Sequence, residues 1–212
     1  MALSFDPNCT RCDRLATYLS EIRVRYPDYH ARPVPTFGDA RSSFLIVGLA
    51  PGLHGANATG QPFTGDHAGI LLYRSLFEAG FASHPDAVAA GDALALTNCR
   101  ITNAVRCLPP ANKPLGEEVT RCNDYLAQEL DRVSRPGLVL ALGVIAHRAV
   151  LKALHQKQSA FPFRHGSEYD VLEGLRLLSS YHCSRYNTQT RRLTETMFRE
   201  VIERAARYLK TC

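Results

Sequence analysis

Short apolar runs that break off into loops of glycine, proline and polar residues constrain this chain more than any other feature. Residues 43–48 (Ser-Phe-Leu-Ile-Val-Gly), 138–143 and 175–181 are each almost free of charge. Runs of this length suit strands buried on both faces, as in a sheet with helices on each side. Residues 93–103 alternate enough to read as a fourth strand. Between them the apolar spacing becomes helical. Leu15, Leu19 and Ile22 precede Tyr26-Pro27, and helices are expected around 69–79, over 117–133 and over 145–155. Met197, Phe198, Val201, Ile202, Ala205 and Leu209 mark the stripe of a terminal helix. This alternation predicts an α/β fold with a mostly parallel four-stranded sheet, built as one domain over 1–212. In such sheets ligands bind beyond the C-terminal strand ends. Three loops follow strands there, 49–66, 103–114 and 182–194, and they are expected to converge on one rim.

With 212 residues, 45% of them hydrophobic, the chain can bury a core without disulfides. It has seven cysteines, an odd number. The opening Met1-Ala-Leu-Ser-Phe-Asp-Pro7 lacks the basic start and long apolar run of a signal peptide. No stretch approaches the roughly 18–20 apolar residues of a membrane span. A cytoplasmic monomer is therefore expected, in a compartment where cysteines bind metal more often than they cross-link. The net charge of +5 permits a polyanionic partner. Arg185, Arg191, Arg192, Arg199, Arg204, Arg207 and Lys210 crowd the C-terminal region against Glu195, Glu200 and Glu203. Taken alone, that crowding equally suits a solvated helix face.

Cys9 and Cys12 form Cys-Thr-Arg-Cys, and Cys107 and Cys122 form a distant pair with fourteen residues between them. Together they supply the four thiolates of a tetrahedral metal site or an iron–sulfur cluster. Such a tie would join the first dozen residues to mid-chain.

The first rim loop runs Gly48-Leu-Ala-Pro-Gly52, then Leu53 to Gly60, then Gln61-Pro-Phe-Thr-Gly-Asp66. Its glycines let backbone approach a ligand closely, but it fits neither the P-loop nor the dinucleotide fingerprint. Asp66 precedes a helix and is by default its N-cap. Phe63 is either a core aromatic or a stacking surface. The third loop joins His182 to Ser184, Arg185, Asn187, Thr190, Arg191, Arg192 and Thr194, a dense set of donors for phosphate oxygens. Thr190 or Thr194 is placed to cap the terminal helix.

Taken together, these pieces resemble the uracil-DNA glycosylase superfamily, most closely its type B branch, family 5. The resemblance is carried by Gly48-Leu-Ala-Pro-Gly52, His54-Gly55, Thr59-Gly60, Phe63-Thr-Gly-Asp66 and Asn103 before Val105-Arg-Cys107-Leu-Pro-Pro110. His182-x-Ser184-x-x-Asn187-Thr-Gln-Thr190-x-Arg192-Leu-Thr194 and the four cysteines complete it. It implies a three-layer α/β/α sandwich and a [4Fe–4S] cluster on Cys9, Cys12, Cys107 and Cys122, with zinc as the alternative. It also implies a monofunctional base-excision repair enzyme acting on DNA that contains uracil or other deaminated bases such as hypoxanthine. Two departures stand out: Cys183 replaces the usual proline of His-Pro-Ser, and Arg191 stands where glycine is usual.

By the same resemblance the catalytic residues are Asp66, Asn103 and His182, and Ala50, Gly52, Phe63, Asn103 and His182 form the base pocket. Ser184, Arg185, Asn187, Thr190, Arg191 and Arg192 face DNA. Ala50, where related branches carry an Asp, Asn or Glu, can do no acid–base chemistry, which shifts the burden to Asp66. The competing reading is a non-catalytic nucleic-acid-binding module with structural zinc. It leaves Phe63, Asp66, Asn103 and His182 without a shared purpose.

Overall fold

The computed structural model describes residues 5–87, 91 and 93–211. Its elements follow in the order α1 (Asp13–Arg25), β1 (Phe37–Gly38), β2 (Phe44–Gly48), α2 (Ala56–Thr59), α3 (His67–Glu78) and β3 (Cys99–Asn103). Then come α4 (Gly116–Asp131), β4 (Gly137–Leu142), α5 (Val144–Ala153), β5 (Glu168–Leu172), β6 (Leu175–Ser180), α6 (Arg185–Gln189) and α7 (Glu195–Thr211). No helix among the described residues is long and apolar enough to cross a membrane.

The sheet has six strands, in the order β1-β3-β2-β4-β6-β5, rather than the expected four. The four inner strands are parallel to one another. Largely apolar runs encode β2, β4 and β6 because helices cover both faces, while β3 carries the buried Arg100. The two additions are antiparallel edges. β1 is only two residues long, and β5 reads Glu-Tyr-Asp-Val-Leu with a single buried residue. Neither carries a hydrophobic run to betray it. The strand expected over 93–103 is also shorter. Only its second half pairs along β2, while Leu96 forms an isolated bridge to Ala82.

Period-two alternation divides the core into layers. Phe44 and Ile46 of β2 pack with Leu72 and Leu76 of α3 and Phe198 and Ile202 of α7. Leu45 and Val47 point the other way, against Leu126 and Leu130 of α4 and Val150 of α5. Each such leucine, buried completely, contributes on the order of 2 kcal/mol.

Three devices shape the rim. Asp66 caps α3, its Oδ1 accepting from the Gly69 N–H at 2.8 Å. Gly69 itself admits no side chain, because a methyl there would run into the Phe63 carbonyl oxygen. Beyond the strand ends, the Ala104 N–H donates to the Gly48 carbonyl at 2.9 Å and Val105 N–H to Leu49 at 3.0 Å, so the loops after β2 and β3 leave side by side. Thr194, not Thr190, caps α7, its hydroxyl accepting from Met197 N–H at 3.2 Å. Thr190 instead donates to the Tyr186 carbonyl at 2.7 Å.

Candidate active site

The chain reverses direction across the sheet at β2, which has β3 on one side and β4 on the other. A crevice beyond the strand ends at such a point is the natural ligand site. A cavity of about 410 Å³ lies there, lined by residues after β2 (Leu49, Ala50, Gly52), after β4 (Gly143, Val144, Ile145) and after β6 (His182, Ser184, Arg185), with Asp66.

Phe63 and Asn103 do not line this cavity; they sit directly behind it. A methyl built on Gly48 would meet Asn103 Oδ1 and come within 2.7 Å of the Phe63 ring, so only glycine lets the two side chains approach. Phe63 in turn stacks on His182, with ring centroids 5.8 Å apart and planes 25° from parallel. Its backbone is left-handed, at φ 58°, a strained state for a bulky residue. Tyr73 holds that turn, its hydroxyl donating to the Pro62 carbonyl at 2.7 Å. Asn103 is only 4% exposed, yet its amide makes no hydrogen bond to a described residue. A buried amide with free donors and an acceptor is suited to reading the edge of a base.

Asp66 and His182 have displaced electrostatics. Burial raises the Asp66 pKa above the ordinary carboxylate value, opposed by the Gly69 and Ala68 N–H groups and by His67. Gly52 and Gly55 cradle this carboxylate, and a methyl on Gly55 would lie 2.8 Å from Oδ2. Burial lowers the His182 pKa to about 4, which keeps the imidazole neutral at physiological pH.

The remaining loop residues divide. Ser184 caps α6, and Asn187 spends its side chain on the His182 carbonyl at 2.8 Å, bracing the loop. Arg192 lies over the Tyr181 ring at 4.6 Å, with His165 stacked on that tyrosine at 5.1 Å. Arg191 lines a separate groove. Cys183 is fully buried and packs as a small hydrophobe, as does Cys99; Cys212 lies outside the described residues. Sequence reasoning missed His67, Asn112 and the Gly143–Ile145 turn, all on the cavity wall. It also missed Tyr186, which is 70% exposed on α6. The glycine ending the apolar run 138–143 was a signal for the turn, since β4 flanks the reversal point.

The family is decided by comparison with known proteins. The uracil-DNA glycosylase superfamily model matches residues 35–206. A type-5 uracil-DNA glycosylase of Thermus thermophilus is 47% identical over 204 residues, covering 94% of this chain and 93% of that protein. The chain belongs to the uracil-DNA glycosylase superfamily. A type-5 enzyme of Pyrobaculum aerophilum is 43% identical, over 94% of this chain and 88% of its own. A type-4 enzyme of Archaeoglobus fulgidus is 28% identical, over 92% of this chain and 87% of its own.

In this glycosylase the four cysteines line one small cavity between α1, the loop after β3 and α4. Cys9, Cys12, Cys107 and Cys122 are free thiols. Burial raises the pKa of Cys12 and Cys107 and pushes Cys122 up to about 11. The Arg106 N–H points at Cys122 Sγ from 3.4 Å. Ion pairs hold the two helices around the thiols: Arg14 forks onto Glu118 at 2.8 and 2.7 Å, and Arg11 reaches Asp124 at 2.7 Å. Among the described residues, no three or more His, Cys, Asp or Glu side chains form a ready-made site for a metal ion.

Proposed function

We propose that this uracil-DNA glycosylase draws the damaged nucleotide out of the duplex and hydrolyses its N-glycosidic bond in the 410 Å³ cavity. One observation carries the reading: Asp66 and His182 face one cavity, with Phe63 stacked on His182 and Asn103 meeting Phe63 at Gly48. Extrusion costs a few kcal/mol, offset by stacking and edge hydrogen bonds in the pocket. Phe63 lies behind His182, whose ring covers one of its faces, so a base in the cavity reaches this apolar surface only past His182. Asn103 reads the base edge with an amide that makes no hydrogen bond to a described residue.

Cleavage leaves positive charge on the sugar and negative charge on the departing base. Asp66 answers the first as a carboxylate, orienting a water and stabilising the cation. His182, neutral, answers the second by donating its N–H to the base. Ser184 and Arg185 hold backbone phosphate at the mouth. Tyr186, exposed on the same loop, fills the gap left in the duplex.

Ala50 and the apolar cavity wall impose no polar test on a base, so the same pocket takes hypoxanthine as well as uracil. Cys9, Cys12, Cys107 and Cys122 would hold a [4Fe–4S] cluster that, when bound, pins the N-terminal segment and the Cys107 loop beside the DNA-facing rim. A single zinc ion needs four thiolates within about 2.3 Å of one point. A [4Fe–4S] cluster takes the same four thiolates at a wider spacing, and zinc stays the alternative on these residues. The enzyme works as one chain and one domain.

The test uses two duplexes, one with uracil and one with hypoxanthine, each treated with alkali after incubation to cut abasic sites. Both strands should break. Cutting confined to uracil removes the broad-substrate part, and no cutting of either removes the whole reading.

A further inference from the structure

A second groove of about 370 Å³ opens beside the base cavity, between α3 and the α6–α7 turn. His67 lines both, and its Nε2 meets Thr188 Oγ1 at 3.1 Å, so this bridge is the wall between them. Ile70, Leu71 and Leu193 make an apolar floor. Arg74 and Arg191 supply positive charge at its edge. Both are exposed, and neither side chain makes an ion pair or hydrogen bond with a described residue. Glu195 is the one acidic residue in the lining.

Arg191 is the telling residue. Its φ is 56°, a left-handed backbone that favours glycine. A long charged side chain at such a position carries that strain with no ion pair or hydrogen bond to a described residue in return. Strain kept without a partner among the described residues points to an external one.

We propose that this groove holds the sugar–phosphate backbone of the uracil-bearing strand next to the extruded nucleotide. Arg74 and Arg191 take its phosphates, and deoxyribose lies on the apolar floor. The groove suits that backbone because both alternate a charged group with an apolar one. The shared His67 wall makes the occupant the same strand, since a nucleotide in the base cavity leaves its neighbour at the groove. The inference rests on the reading of the adjacent cavity as the base pocket.

The experiment measures binding to a duplex carrying 2′-fluoro-2′-deoxyuridine, whose fluorine suppresses cleavage, across a range of salt. Arg74→Ala and Arg191→Gly should each weaken binding and reduce the slope of log affinity against log salt by about 0.9. Arg191→Gly should also unfold at an equal or higher temperature, because the backbone strain is relieved. Replacing phosphates that flank the uracil with neutral methylphosphonate should reproduce the loss in the parent and add nothing in the double variant Arg74→Ala/Arg191→Gly. Unchanged affinity and slope in both variants, or sensitivity to methylphosphonate only on the complementary strand, overturns the proposal. Uracil release by the parent separates the two readings: if it cleaves while the arginine variants bind normally, the groove alone is wrong.

Discussion

Asp66 caps α3 and, in the proposed mechanism, is also the catalytic carboxylate, and the two roles respond differently to substitution. As N-cap it needs only an acceptor oxygen toward Gly69, which asparagine provides equally well. As the catalytic carboxylate it needs negative charge, which asparagine lacks. Asp66→Asn should therefore melt like the parent, whereas Asp66→Ala should lose about 0.5–2 kcal/mol in thermal or urea unfolding. In the proposed mechanism the same residue sets the pH dependence. Its pKa is raised by burial, so the carboxylate ionises, and the chemical step accelerates, only as pH rises through a value above the ordinary aspartate range. His182, already neutral above about pH 4, adds no second limb near neutrality. A single-turnover pH profile whose acid limb falls at or below the free aspartate value would remove the buried carboxylate from the rate. Gly48→Ala tests the residues behind the cavity, since its methyl would displace Asn103 and the Phe63 ring. Uracil release should fall while duplex affinity changes little. The cap at Asp66 was legible from its place before a helical run. The dependence of Phe63 and Asn103 on Gly48 was not, because it arises from register across β2 and β3, where Gly48 lies opposite Asn103.

Glu129 shows how the elements around the cysteines are fixed. This residue of α4 is 6% exposed and pairs with Arg106 at 3.1 Å and with Arg100 of β3 at 3.3 Å. It also accepts the Thr36 hydroxyl at 2.6 Å. Two arginines and one glutamate thus join helix, strand and loop inside the protein, directly behind the turn that carries Cys107. Removing the central partner leaves two buried cations uncompensated, so Glu129→Gln should cost about 3–5 kcal/mol in denaturant unfolding. A loss under 1 kcal/mol would mean that the triad is not holding these elements together. None of this network was readable beforehand, since Arg100 and Glu129 are distant in sequence and look like surface charges. β2, β4 and β6 were readable because burial on both faces forces largely apolar runs, whereas β3, with the buried Arg100, was readable only from alternation. The edge strands were not, because each has only one neighbour and little of its surface is buried.

For the whole molecule, the rim is the meeting place of the segments after β2, β3, β4 and β6, the β3 loop reaching the cavity through Asn112. Convergence of the loops 49–66, 103–114 and 182–194 followed from strand–helix alternation alone. The contribution after β4 needed the strand order, which fixes the reversal at β2. The cysteine tie is a claim about the molecule rather than about chemistry at the base. Cys107→Ala should give protein without stoichiometric iron, lacking visible absorbance and unfolding at lower temperature. Full iron content in that variant would mean the ligand set is wrong. Single-turnover release of uracil from a duplex, compared between the parent and Asp66→Asn with duplex binding measured alongside, tests the proposed catalytic carboxylate most directly. The expected result is a rate lower by roughly 10²- to 10⁴-fold with affinity retained; equal rates in the two proteins would contradict it.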